Sequence, residues 1–307
     1  MSNTVIKCDS TTINQMKKAY QSHLSLKQPQ STVFMAKVHG CTITAYSSGK
    51  VLFQGGSHEE EARKWGNSLP SAKKSTSSPK GSTKLPLNFS SLSVMGSDEV
   101  GTGDYFGPMT VVSAYVSTQN MPLVKELGVQ DSKNLKDPQI IKIAQDLLHV
   151  IPYSLLILPN PKYNELQKNG MTQGKMKAVL HNKALLNLLK KMNPEKPEAI
   201  LIDQFAEKNV YYRHLQGQKD VCKENVYFST KGESVHLAVA AASILARYAF
   251  LKEWDKLSEK AGFTIPKGAG AAVDKAGARL IRSKGEQALW EFTKVHFANT
   301  GKAKKLV

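Results

Sequence analysis

The chain has 307 residues, enough to bury a substantial core and more than one typical domain needs, so one large domain plus a small one is expected. Forty-two Lys and Arg against twenty-five Asp and Glu leave a formal charge of +17, which points to a polyanionic partner, nucleic acid first, with solubility alone as the bland alternative. The longest apolar run, Leu237 to Ala246, is too short to span a bilayer, MSNTVIKCDS has no continuous apolar signal stretch, and Cys8, Cys41 and Cys222 suit neither a disulfide framework nor a cysteine zinc site, so a cytoplasmic chain with no membrane partner is expected.

Taken in chain order, the N-terminal third is the more basic part, and residues 1–70 read as a first module. Twelve Lys and Arg stand against four Asp and Glu before residue 91. Ser10 to His23 reads as a helix opening at a Ser/Thr cap, TVFMAKV and CTITAYSSGKVLFQGG as strands turning at Ser47-Ser48-Gly49, and Glu59 to Trp65 as a second helix. An antiparallel sheet backed by helices follows. Tyr46, Lys50 and Gln54 lie on or beside this hairpin and could stack on, neutralise or hydrogen-bond a nucleic-acid strand; as ordinary hairpin surface residues they would be equally at home.

Ser71 to Lys84 carries four lysines, no acid and no large apolar residue, a composition that cannot bury enough surface to fold alone. Residues 71–87 are therefore expected to be a flexible linker. Beyond it, in 88–307, apolar runs (LSVMG, MTVVSAYV, YSLLIL, EAILID) alternate with helical ones (Asp137 to His149, Lys175 to Met192, Ser234 to Ser258). That alternation predicts an α/β domain with a mixed, largely buried sheet flanked by helices.

Four carboxylates in this domain could carry chemistry. Asp98 and Glu99 follow an apolar strand and precede a turn containing Gly101, Thr102 and Gly103; taken alone, such an acidic pair is more often a solvated surface feature. A dinucleotide-binding reading of Gly101, Gly103 and Gly107 fails on spacing, one residue too long, and on the charge that the two acids would set against a pyrophosphate. Asp203 ends the buried run Ala199 to Ile202, where α/β sheets place ligand sites, although an Asp there can simply cap the next turn. Glu233 precedes an alanine-rich helical run, a place that the helix dipole favours for an acid in any case. Pro266 to Gly270 could cradle phosphate but equally reads as a loop, and His236 is assigned no catalytic role.

Together the acids suggest a site for hard divalent cations, which take oxygen ligands and can act in pairs on a phosphodiester. The combination also resembles the type 2 ribonucleases H: Asp98-Glu99-Val100-Gly101 after the first strand, Asp131-Ser132-Lys133, Ile202-Asp203, and Glu233 followed by Ala-Ala-Ala-Ser-Ile-Leu-Ala-Arg ending at Arg247. Glu233 where ribonuclease HII carries Asp, Thr102 in place of its Arg, and a basic N-terminal module all resemble the ribonuclease HIII branch.

The resemblance implies a ribonuclease H-like catalytic domain preceded by a small α+β, TATA-box-binding-protein-like domain that grips substrate. It further implies cleavage of the RNA strand of RNA/DNA hybrids, leaving 5′-phosphate and 3′-hydroxyl ends. Asp98, Glu99, Asp203 and Glu233 would hold two Mg²⁺ or Mn²⁺ ions, Gly101, Thr102 and Gly103 would meet ribose 2′-hydroxyls, and Ser132 and Lys133 the substrate backbone. The expected partner is the hybrid duplex, bound by a monomer. Two rivals stand beside this reading: a ribonuclease HII-like enzyme for single embedded ribonucleotides, and a nucleic-acid-binding protein without catalysis.

Overall fold

A computed structural model describes residues 3–25, 32–65 and 85–307. Most of the expected linker, Ser71 to Lys84, lies outside them. The chain divides into two compact units, residues 1–77 and 78–307.

The first unit is a four-stranded antiparallel sheet of β1 (Asn3–Lys7), β2 (Thr32–Val38), β3 (Cys41–Tyr46) and β4 (Lys50–Gly55), in the order β1-β4-β3-β2. The hairpin turns at Gly49, whose φ of +83° lies in the left-handed region that glycine adopts without strain. Alternation sends Ile6, Phe34, Ile43, Val51 and Phe53 into a core shared with helices α1 (Ser10–Ala19) and α2 (His58–Arg63). Asp9 caps α1 by accepting from the Thr12 N–H at 2.7 Å. The expected helix over 10–23 stops at Ala19, and Gln21–His23 tightens into a 3-10 turn. Strand β1 was not anticipated.

The second unit is built on the sheet β7-β6-β5-β8-β9, with β5 (Val94–Val100), β6 (Met109–Val116) and β7 (Tyr153–Leu158) antiparallel and β8 (Ala199–Asp203) and β9 (Val226–Ser229) parallel to β5. Helices α3 (Met121–Glu126), α4 (Asp137–Val150), α5 (Asn160–Lys168), α6 (Gln173–Met192) and α7 (Lys208–His214) precede the long α8 (Leu237–Ala261). Helices α9 (Ala271–Lys284), α10 (Ala288–Phe292) and α11 (Ala298–Lys304) follow it. This is the mixed α/β sheet flanked by helices that the alternating pattern predicts.

Residues Ala238 to Ala246 of α8 are all buried, as a helix apolar on every side must be. Their small side chains let α8 lie against β5 so closely that a Cβ on Gly96 would come within 2.3 Å of the Val239 nitrogen. The opposite face of the sheet is covered by α6 and α7 through Leu185, Leu188 and Tyr211. Among the described residues no helix is long and apolar enough to cross a membrane.

Candidate active site

The three parallel strands bring the acids together. Ser97 of β5 lies opposite Ile202 of β8, so the next residue of each, Asp98 and Asp203, falls at adjoining places at the same end of the sheet. Asp203 in turn pairs with Ser229 at the end of β9. Glu233 follows in a 3-10 turn, Gly232–Ser234, held against β8 because the Gly232 N–H donates to Asp203 Oδ1 at 2.7 Å. Glu233 is therefore not in the first turn of the long helix; α8 begins only at Leu237, capped by His236.

Burial and repulsion dominate the electrostatics. Asp98 is 8% exposed, and its carboxyl is pushed well above the usual carboxylate range by burial first, then by Glu99 and Asp203, against the Ser243 hydroxyl and the Glu99 N–H that oppose the shift. Asp203 is raised as well, by burial and by Glu99, with the Gly232 N–H working the other way. Glu99 goes down: burial raises it, but His181 and Lys177 together outweigh burial. Lys177 Nζ donates to Glu99 Oε1 at 2.6 Å and His181 Nε2 meets Oε2 at 2.9 Å, while His181 Nδ1 is bonded to Ser97 Oγ at 2.8 Å.

Glu233 has its own cation. Lys133 Nζ donates to Glu233 Oε1, and Ser132 Oγ donates to Oε2 at 3.4 Å while bonding Ser243 Oγ at 2.9 Å. Arg247 secures this loop by donating to the Ser132 carbonyl at 2.7 Å and to Asp137 Oδ1 at 2.6 Å. The donor set is all carboxylate oxygen, the chemistry that Mg²⁺ and Mn²⁺ prefer, and burial first, with neighbouring like charge after it, raises two of its members. In this conformation no three His, Cys, Asp or Glu side chains among the described residues enclose an ion; ammonium groups lie on Glu99 and Glu233 instead.

The turn after the acids is tightly specified. Gly101 has φ of +93°, and a Cβ there would lie 2.2 Å from the Pro108 carbonyl oxygen, so glycine is required. Gln173 fixes the Thr102 carbonyl by donating to it at 3.0 Å, and Gly103 has open space around it. Lys294, fully buried and lowered to about 7 by burial, donates to the carbonyls of Asp104 and Gly107 just beyond the turn. The Pro266–Gly270 segment is tied to its surroundings, since the Gly268 N–H donates to Asp104 Oδ1 and Lys267 pairs with Asp137.

In the N-terminal unit, Tyr46, Lys50 and Gln54 fall on the sheet face opposite the Val51 and Phe53 side chains, a face that carries no helix among the described residues. Residues that the reading of the sequence missed are Lys177, His181 and Gln173 on α6; Ser243 and Arg247 on α8 were part of the quoted motif but were given no role. Lys177 and His181 do stand four apart within a predicted helix, a spacing that puts them on one face, but nothing local says which carboxylate they meet.

The comparisons with known proteins bear on the family. A family model described as ribonuclease HII matches residues 95–300, and one described as a domain of unknown function (DUF3378) matches 3–78. Fold and site thus define a nuclease of the ribonuclease H class. Ribonuclease HIII of Bacillus subtilis is 59% identical over 308 residues, covering 100% of this chain and 98% of that one, and ribonuclease HIII of Bacillus velezensis is 60% identical over 311, with the same coverage. The solved structure of Bst-RNase HIII in complex with Mn²⁺ is 44% identical, with a TM-score of 0.71 and 99% of each chain covered. At 21% identity and a TM-score of 0.57, ribonuclease H2 from Pyrococcus horikoshii shares the fold. The chain belongs to the ribonuclease HIII family.

Proposed function

We propose that this chain is an endonuclease that hydrolyses the RNA strand of RNA/DNA hybrids with Mg²⁺ or Mn²⁺ held by Asp98, Glu99, Asp203 and Glu233. The observation that carries the reading is the gathering of four acids at one end of β5, β8 and β9, a concentration of negative charge that would repel phosphate unless cations intervene. Two ions at such a site supply polarisation of the scissile phosphate and a more acidic water, and the products are 5′-phosphate and 3′-hydroxyl ends. The Gly101-Thr102-Gly103 turn presents backbone groups to ribose 2′-hydroxyls, the only local feature that separates RNA from DNA. Lys133, largely exposed, swings from Glu233 to a substrate phosphate, with Ser132 beside it.

Residues 1–70 add grip through the open sheet face bearing Tyr46, Lys50 and Gln54, and 71–87 act as the tether. All four acids come from one chain, which supports action as a monomer. Three free cysteines support a reducing cytoplasm.

The test is labelled RNA/DNA, RNA/RNA and DNA/DNA duplexes incubated with Mg²⁺, Mn²⁺ or EDTA, for the unaltered chain and Asp203→Asn. Asn keeps an acceptor for the Gly232 N–H but removes the charge. Loss of about 4 kcal/mol of electrostatic stabilisation lowers kcat by about a thousandfold with hybrid binding retained. Cleavage in EDTA, or Asp203→Asn within tenfold of normal kcat, would refute the assignment.

A further inference from the structure

The two ammonium groups at the acidic site are held very differently. The Lys133 side chain is 75% exposed and can leave Glu233 for solvent at little cost, whereas the Lys177 side chain is 13% exposed and its carboxylate partner 10%. Lys177 Nζ also sits 4.2 Å from the centroid of the Phe205 ring, two residues beyond Asp203, and that ring packs 5.0 Å from His181. His181 is wholly buried and bonds both the other oxygen of Glu99 and the hydroxyl of Ser97. Lys177 is thus held between α6, β5 and the exit of β8, and it cannot turn out to solvent without giving up its contacts with Glu99 and Phe205.

We propose that Lys177 is a fixed counter-cation of the acidic centre, which offsets negative charge in the metal-free site and competes with the divalent ion for Glu99. The proposal rests on the metal reading above. Without a cation, Glu99, Asp98 and Asp203 place like charges in a poorly solvated space, and the ammonium offsets one of them permanently. When a divalent ion arrives on the same carboxylate, it meets a positive charge that cannot swing away, so α6 sets the affinity of the Glu99 side of the site below what four carboxylates would otherwise give. A lysine with a merely orienting role would instead raise affinity for the ion.

The two roles predict opposite signs. The full chain, Lys177→Met and Lys177→Arg are titrated with MnCl₂ by calorimetry and melted in EDTA and in MnCl₂, without substrate. Lys177→Met is expected to bind Mn²⁺ about tenfold more tightly, a conservative figure of about 1.4 kcal/mol for repulsion between a divalent ion and an ammonium on one carboxylate. It melts lower than the unaltered chain in EDTA and gains more from Mn²⁺; Lys177→Arg, which keeps the charge, stays near the unaltered chain. A Lys177→Met chain unfolded in EDTA but folded by Mn²⁺ also supports the proposal. Equal or weaker Mn²⁺ binding by Lys177→Met, or a chain that stays unfolded at saturating Mn²⁺, overturns it. Absence of Mn²⁺ binding in both the unaltered chain and Lys177→Met overturns the metal reading itself.

Discussion

His236 offers a quantitative pH prediction. It is 3% exposed and caps α8: its Nδ1 accepts from the Ala238 N–H at 3.0 Å, which leaves the proton on Nε2 to donate to the Leu92 carbonyl at 3.1 Å. Phe89 packs edge-on at 6.0 Å. Burial lowers the ring to about 4, against a smaller pull upward from the Leu92 carbonyl. Protonating Nδ1 would set two donors face to face and lose the cap. In the unfolded chain the ring takes up its proton near 6.5, so between 6.5 and about 4 the unfolded state binds more protons and stability falls as pH falls. The contribution is fully present above pH 6.5 and is lost progressively down to about 4. Over that window it amounts to about 3 kcal/mol, at about 1.4 kcal/mol per pH unit, a large share of the roughly 5–15 kcal/mol that holds a typical domain folded. The assay is urea unfolding in EDTA at pH 7.5, 6 and 4.5 for the unaltered chain and His236→Asn, whose side-chain oxygen can still accept from Ala238. Other carboxylates titrate in both chains and cancel in the difference, which should shift by about 2–3 kcal/mol in favour of His236→Asn between pH 7.5 and 4.5. A difference that does not change with pH would refute the reasoning.

Gly96→Ala places a methyl 2.3 Å from the Val239 nitrogen and 2.4 Å from the Ala238 carbonyl carbon, backbone atoms that no rotamer can move; a loss of about 1–3 kcal/mol or more in urea unfolding is expected, and an unchanged midpoint would refute the close-packing account. Lys37 of β2 is exposed on the same sheet face as Lys50, opposite the buried Phe34, Ala36 and Val38. Lys37→Ala with Lys50→Ala should flatten the plot of log affinity for hybrid against log salt by about 0.9 per lysine that meets a phosphate, and an unchanged slope in fluorescence anisotropy would remove that face from the substrate track. Because Thr102 replaces the Arg of ribonuclease HII, a duplex with a run of four ribonucleotides should be cut with a kcat/KM at least about tenfold above one with a single embedded ribonucleotide. Equal efficiency, or the reverse order, would refute that branch of the argument.

What could be read from the sequence follows from how each feature is encoded. The runs that became β5, β6 and β8 are mostly apolar and buried, and hydrophobic patterning reports burial directly; β7, an edge strand that leaves Leu155 and Ile157 exposed, was legible from its apolar run alone. Asp98 and Asp203 were legible because each terminates such a run, and in parallel strands the same end means the same place. Strand β9, four residues reading VYFS between polar segments, carries too little pattern to be seen. Glu233 was recognised, yet its setting was misjudged: the helical pattern runs back to Ser234, but Lys231 adopts a left-handed conformation at φ of 59° and His236 breaks the helix to cap α8.

Lys177 and His181 were invisible for a different reason. Periodicity places them on one face of α6, but their meaning depends on β5 lying beneath that face, and the strand is 78 residues earlier in the chain. The negative charge of the site is thus written locally, in carboxylates that end strands, while the positive charge that holds Glu99 is supplied by tertiary packing. A reading of the acids alone describes a site that demands metal. The packed structure describes one that already carries part of its own counter-charge, and the distinction decides how much of the divalent ion's binding energy remains available when substrate arrives.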